Sequence, residues 1–299
     1  MDILLPFLTA DFMGKPAWLW LAFAGIVVSL LALDLGVLHK HDREIGVRES
    51  LLLSAGYIGA ACLFGAWVWW YLGATSGMDY YTGFMIEKSL SMDNVFVIAL
   101  IFGFFAIPRQ YQHRVLFWGI LGVIVLRGLM IGLGATLVSQ FSWVLYLFGA
   151  FLIFTGIKMW VIADHTPDIA NNPLLRYLKR HMRVTEGLRG NAFWVREQDA
   201  VTGRRERFAT PLLLALVLVE FVDLVFAVDS VPAIFAITTD PFIVYTSNIF
   251  AILGLRALYF ALAAMINRFK YLKYALALVL VFIGSKIFLV GIIGKIPAV

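Results

Sequence analysis

The chain has 299 residues, of which 62% are hydrophobic and only 14% charged, with a mean hydropathy of +0.88. Soluble domains lie nearer roughly 45–50% apolar and 25% charged, so the composition excludes an ordinary soluble, fibrous or disordered protein and points to a polytopic membrane protein. The net charge of +5 is gathered in short runs between apolar stretches, which makes it a topology signal and not a nucleic-acid footprint.

A helical span needs about 20 apolar residues. Eight segments reach that length: 17–38, 50–72, 80–105, 114–138, 142–163, 211–238, 244–267 and 272–295. The opening MDILLPFLTADF carries acidic residues where a secretory signal carries basic ones, so no cleaved leader is expected. The loop after the first span holds Lys40, Arg43 and Arg48, and the loop after the third holds Arg109. The long polar stretch 164–210 holds Arg176, Lys179, Arg180, Arg183, Arg189 and more, and the loop after the seventh span holds Arg268, Lys270 and Lys273. The intervening loops have no Lys or Arg. The positive-inside rule then places the basic loops in the cytoplasm and both termini outside. Within the long loop, NNPLLRYLKRHMRV has helical spacing with one basic side, the pattern of a surface helix on anionic headgroups, so 171–207 is expected to meet membrane lipids. AFWVREQDAVTGRRERFAT alternates around a Thr-Gly turn and is predicted to be a small hairpin.

Spans three to five and six to eight repeat a pattern. Glu87 and Asp93 are six residues apart, as are Asp223 and Asp229. The next span of each half carries an arginine, Arg127 or Arg256, and the third a lysine, Lys158 or Lys286, at spacings of 31 and 30. Three spans per copy is an odd number, so the second copy enters the membrane from the opposite side, a plan common among secondary transporters with sites near the midplane. The expected fold is therefore all-α: about eight transmembrane helices with an inverted three-helix repeat. It divides into N-terminal transmembrane helices (1–72), repeat 1 (80–163), a cytoplasmic loop (164–210) and repeat 2 (211–299).

Nine ionisable groups fall within spans: Asp34, Glu87, Lys88, Asp93, Arg127, Glu220, Asp223, Asp229 and Arg256. Each central charge costs about 2.5–3.5 kcal/mol on insertion scales. Six unpaired carboxylates would together cost on the order of 15–20 kcal/mol, which a stability role does not justify. Three basic groups offset half of the negative charge, and the remaining −3 suits a divalent cation or a proton relay. Glu87 and Asp93 face about 120° apart on one helix and are separated by about 9 Å along it, so one helix cannot place both on one ion. The inverted repeat sets Glu87 level with Asp229 and Asp93 near Asp223. A carboxylate path between spans three and six is expected, with Ser91, Asn94 and Ser230 adding neutral oxygens and Pro232 loosening the helix. The competing reading is structural ion pairing of these acids with Arg127 and Arg256. Asp34 fits an interfacial residue as well as an exit path, and Asn248 fits a ligand less well than a helix cap or an interhelical hydrogen bond.

Oxygen-only ligands suit hard cations such as Mn²⁺, Mg²⁺ or Ca²⁺. All five histidines lie in or beside cytoplasmic loops, and the single cysteine, Cys62, allows no dithiol. No resident cofactor, no nucleotide-binding motif and no enzymatic activity are expected. Met92, next to Asp93, reads first as packing and second as a bias towards a softer divalent ion such as Mn²⁺; the sequence does not choose between Mn²⁺ and Mg²⁺.

The segments EKSLSMDNVFV, LVEFVDLVFAVDSVPAIFAIT and TSNIFAILGLRALYF resemble the TerC family of integral membrane proteins, most of all its Alx branch. The likeness runs over nearly the whole chain. It implies a link to tellurium resistance, alkaline stress and manganese export, within a broader group of lysine-exporter-like transporters. It also implies Glu87, Asp93, Asn94, Asp223, Asp229 and Ser230 as metal or transport residues, with Glu220 nearby, in a bacterial inner membrane. The expectation is export of a divalent cation, Mn²⁺ above others, in exchange for protons. Two alternatives stand beside it: export of a small organic solute, or an indirect redox or stress role acting through the long loop. The sequence names no protein partner.

Overall fold

The computed structural model describes residues 8–33, 46–161, 168–198, 203–263 and 272–293, with backbone alone at Arg256, 263, 272–273 and 291–293. Asp34 and the loop residues Lys40, Arg43, Arg268 and Lys270 lie outside the described residues, as does the side chain of Arg256.

Eight long helices fall on the eight predicted segments: α1 (Ala17–Leu33), α2 (Val47–Leu72), α3 (Ala74–Phe104), α4 (Arg109–Gln140), α5 (Val144–Val161), α7 (Pro211–Phe235), α8 (Pro241–Ala263) and α9 (Leu272–Ile293). By length and composition α2, α4, α5 and α7 can each cross a membrane, and α1, α8 and α9 contribute shorter apolar stretches. The charges of α3, namely Asp79, Glu87, Lys88 and Asp93, set it apart from the others. One residue, Gly73, joins α2 to α3 with φ of 95°, a conformation that a side chain would strain.

The bundle is turned inside out relative to a soluble protein. Large apolar side chains such as Leu63 and Phe282 are 75% and 72% exposed, whereas Glu87 is fully buried. An apolar exterior of this extent is what lipid contact requires. The chain is an all-α polytopic membrane protein.

The packing follows the repeat. α3 packs on α8 as α7 packs on α4, and α5 packs on α7 as α9 packs on α3. The pairs α3–α7, α4–α8 and α5–α9 are also in contact. Exchanging the first three helices for the last three maps these principal contacts onto one another. α2 covers α3 and α8, and the aromatic cluster of Phe23, Phe64, Tyr80 and Phe250 fills the space between α1, α2, α3 and α8.

Two small elements lie at the ends. The hairpin β1 (Asp11–Phe12) and β2 (Lys15–Pro16) sits beside the start of α8, where Lys15 pairs with Asp240 at 2.9 Å. Asp240 also caps α8 by accepting from Phe242 N at 3.0 Å. In the long loop, α6 (Pro173–His181) is capped by Asn172, which accepts from Leu174 N at 2.9 Å, with proline at its first position. Leu175 is buried, while Arg176, Lys179 and Arg180 are exposed on the polar side. Strands β3 (Trp194–Gln198) and β4 (Arg205–Ala209) form the predicted hairpin. Arg189 Nε donates to Glu197 at 2.5 Å and so holds that carboxyl below its ordinary pKa. Arg183 pairs with Glu206.

Candidate functional site

Glu87, Ser91 and Asn94 recur at intervals of four and three, so they line one face of α3. Asp223 and Ser230, seven apart, line one face of α7. Arg127 projects from α4 between these faces and is 1% exposed, alongside Glu87 at 0% and Asp223 at 8%.

The Arg127 guanidinium ties the two halves together. Its Nη1 donates to Glu87 Oε1 at 2.5 Å, to Asn248 Oδ1 at 2.8 Å and to Ser230 Oγ at 3.1 Å. Its Nε and Nη2 donate to the two oxygens of Asp223 at 3.3 and 3.4 Å. Glu87 further accepts from Ser91 Oγ at 3.1 Å and from Asn248 Nδ2 at 3.0 Å. Asn94 Nδ2 donates to Asp223 at 3.3 Å. Two carboxylates therefore share one cation, a core with a net charge of −1. Charge-assisted bonds of this kind are strong, and removing one partner leaves an uncompensated buried charge.

A cavity of about 40 Å³ adjoins this core. Glu87, Ser91, Asp93, Asn94, Arg127, Asp229 and Ser230 supply its polar wall, and Leu90, Met159, Phe226, Leu276 and Leu280 its apolar wall. A water needs about 10–15 Å³ of such space, so a few waters fit at most. Asp229 shares a hydrogen bond with Thr155 of α5 and lies within electrostatic reach of Lys158. A second cavity of about 40 Å³, apolar apart from Asp223 and Tyr259, opens beside Asp223 between α3, α4, α7 and α8.

The register of α3 on α7 is antiparallel. Asn94 meets Asp223, while Glu87 shares its cavity with Asp229 and Ser230. All six metal candidates thus lie at this one locus, together with Ser91 and Arg127. Glu220 lines neither cavity; its carboxyl is seated against Gly119 and Gly122 of α4, and both of its oxygens are buried without a hydrogen bond from the protein. Pro232 lies within α7, and the helix continues three residues beyond it to Phe235. Among the described residues no three His, Cys, Asp or Glu side chains converge closely enough to hold a metal ion. The acids gather around a guanidinium, and the neutral oxygens of Ser91, Ser230, Asn94 and Asn248 complete the set.

The sequence understates two residues. Asn248 lies two turns inside α8, fully buried, because α8 begins at Pro241 and not at 244. The polar triplet Thr246, Ser247 and Asn248 within an apolar run is the signal that marks it. Lys88 is buried away from this core and donates to Ala251 O at 3.1 Å, where Gly254 leaves space for it.

Helices of this length and hydropathy, enclosing a buried charged network, define an integral membrane protein with an internal polar site. Residues 72–299 match the family model described as "Integral membrane protein TerC family", and the chain belongs to that family. It is similar to an "Uncharacterized membrane protein" of Rickettsia bellii, 51% identical over 270 residues that cover 90% of this chain and 87% of the relative. It is 47% identical over 286 residues to the "Putative membrane-bound redox modulator Alx" of Escherichia coli K12, covering 93% of this chain and 87% of that protein. An "Uncharacterized membrane protein STKORF319" of Myxococcus xanthus is 46% identical over 286 residues, covering 96% and 88%. No solved structure matches the chain.

Proposed function

We propose that the protein is a secondary transporter that exports a divalent cation, with Mn²⁺ as the cargo, in exchange for protons. One observation carries the reading: carboxylates from both halves of the repeat border one locus inside the bundle, Glu87 and Asp93 on α3 with Asp229 on α7 lining its cavity and Asp223 joined to it through Arg127. Buried acids in a membrane are expensive and mark ion or proton pathways. The ligand atoms on offer are all oxygen, which suits a hard divalent ion. Mn²⁺ is the member of that class which the TerC resemblance implies. The cation would enter from the cytoplasmic side near Asp34 and Glu220, pass Asp93 and Asp223, and leave past Glu87 and Asp229. We assign the protein to the inner membrane with both termini outside, the basic face of α6 resting on anionic headgroups.

The name of the Escherichia coli relative raises a redox role. This chain has one cysteine, Cys62, and it faces outward, so the chain offers no dithiol of its own and any redox effect would follow from metal balance. Purified protein in liposomes, assayed with Mn²⁺, Mg²⁺, Ca²⁺ and Zn²⁺ and a pH-sensitive dye, tests the proposal. Mn²⁺ flux with opposed proton movement supports it. A sealed, protein-loaded vesicle that moves none of these ions contradicts it.

A further inference from the structure

The geometry points to Arg127 as an internal stand-in for the cargo, a tethered cation that occupies Glu87 and Asp223 whenever the transported ion does not. The inference rests on the reading of the site as a divalent-cation pathway and goes beyond it by assigning how the empty carrier is neutralised. Every acceptor around the guanidinium is an oxygen: two carboxylates, the Asn248 amide and the Ser230 hydroxyl. These are the oxygen types that a hard cation takes. They come from α3, α7 and α8, so one side chain on α4 fastens elements of both halves. The adjoining cavity, at about 40 Å³, is too small to take a cation with its hydration shell while the guanidinium stays in place. Cargo and Arg127 therefore exclude each other at Glu87 and Asp223.

Mutual exclusion has a purpose in a low-dielectric setting. An emptied site with Glu87 and Asp223 both ionised would repel itself and resist rearrangement. With Arg127 docked the same acids are bridged, and the two halves can reset without an ion. An incoming cation releases Arg127, and departure of the cation lets the guanidinium dock again.

The test measures Mn²⁺ binding to the purified full chain by titration calorimetry, and Mn²⁺ flux in liposomes, for wild type, R127A and R127K. Removing the competitor should lower the Mn²⁺ dissociation constant of R127A at least ten-fold while flux falls at least ten-fold. Added guanidinium chloride should then raise the R127A dissociation constant back towards wild type and restore part of the flux. A plain structural role predicts the opposite, because a collapsed site binds less Mn²⁺ and guanidinium would improve binding. R127K keeps a buried cation but meets only one carboxylate well, so its dissociation constant should fall between the other two. If R127A is not monodisperse, R127K alone decides: tighter binding than wild type supports the inference, and equal or weaker binding overturns it. Weaker binding by folded R127A, with wild-type binding and flux intact, overturns the role of Arg127 and leaves the transport reading standing. Wild-type protein that neither binds nor moves Mn²⁺ overturns both.

Discussion

Arg127 on α4 and Glu87 on α3, 40 residues apart in sequence, meet at 2.5 Å with both side chains 1% exposed. The pair sits inside a bundle whose outer surface is apolar, beside a cavity with room for a few waters at most, so solvent relieves either charge only slightly. Losing one partner of such a pair costs about 3–5 kcal/mol, whereas replacing both by apolar groups of similar volume costs far less. Arg127→Met should lower the thermal midpoint of the purified protein strongly, and Glu87→Gln with Arg127→Met should recover part of the loss. Tryptophan fluorescence melting of both variants against wild type measures this, and a double variant no better than the single one contradicts the pairing.

Asp93 and Asp229 line the cavity beside that pair. In the proposed transport reading they belong to the ion path more than to its scaffold. Asp93→Asn and Asp229→Asn keep volume and remove charge, so each should fold normally and lower Mn²⁺ flux at least ten-fold. Flux equal to wild type in both would remove them from the path.

Much of this arrangement is legible from residue order alone. Hydropathy marks the eight helices, and the paired acids with their following arginine and lysine disclose the repeat. Antiparallel placement of Glu87 and Asp229 follows from an odd number of helices per copy. What the order of residues does not disclose is the choice among partners. Both Arg127 and Arg256 could serve the acids, and only packing of α4 against α7 and α8 brings Arg127 onto Glu87 and Asp223 together. Asn248 is legible as an interhelical hydrogen bond, but its depth is not, because that depends on where α8 starts, and helix ends are the least certain part of such a reading. The seat of Glu220 depends on two glycines of another helix, a tertiary fact with no local signature.

That seat gives a third expectation. A Cβ added at Gly122 would lie 2.6 Å from Glu220 Cδ, closer than real contacts allow. The carboxyl is the far end of a flexible side chain, so Gly122→Ala should swing it aside at a cost near or below the lower end of the about 1–3 kcal/mol typical of overpacking. Glu220→Ala in the same chain should relieve the clash. Chemical-denaturant or thermal melting of the single and double variants reads the effect, and a large loss in Gly122→Ala that Glu220→Ala does not recover would show that the added methyl meets something other than this carboxyl.

The basic helix α6 provides a fourth. Arg176, Lys179 and Arg180 line its polar side, and each basic group near an anionic surface contributes about 1 kcal/mol. Replacing the three with glutamine should weaken retention of anionic lipid by the purified protein, measured by native mass spectrometry, with little change in neutral lipid. Equal retention of both lipid classes would count against contact with headgroups.

The sharpest measurement is the initial rate of radioactive Mn²⁺ uptake into liposomes carrying wild-type protein or Asp223→Asn. Asp223 links α3, α4 and α7 through Asn94 and Arg127 and borders the second cavity. Uptake by the wild type, with the variant folded and at the background of empty liposomes, is the predicted result. Equal uptake by folded variant and wild type, or none by either, would contradict a transported cation meeting these acids inside the membrane.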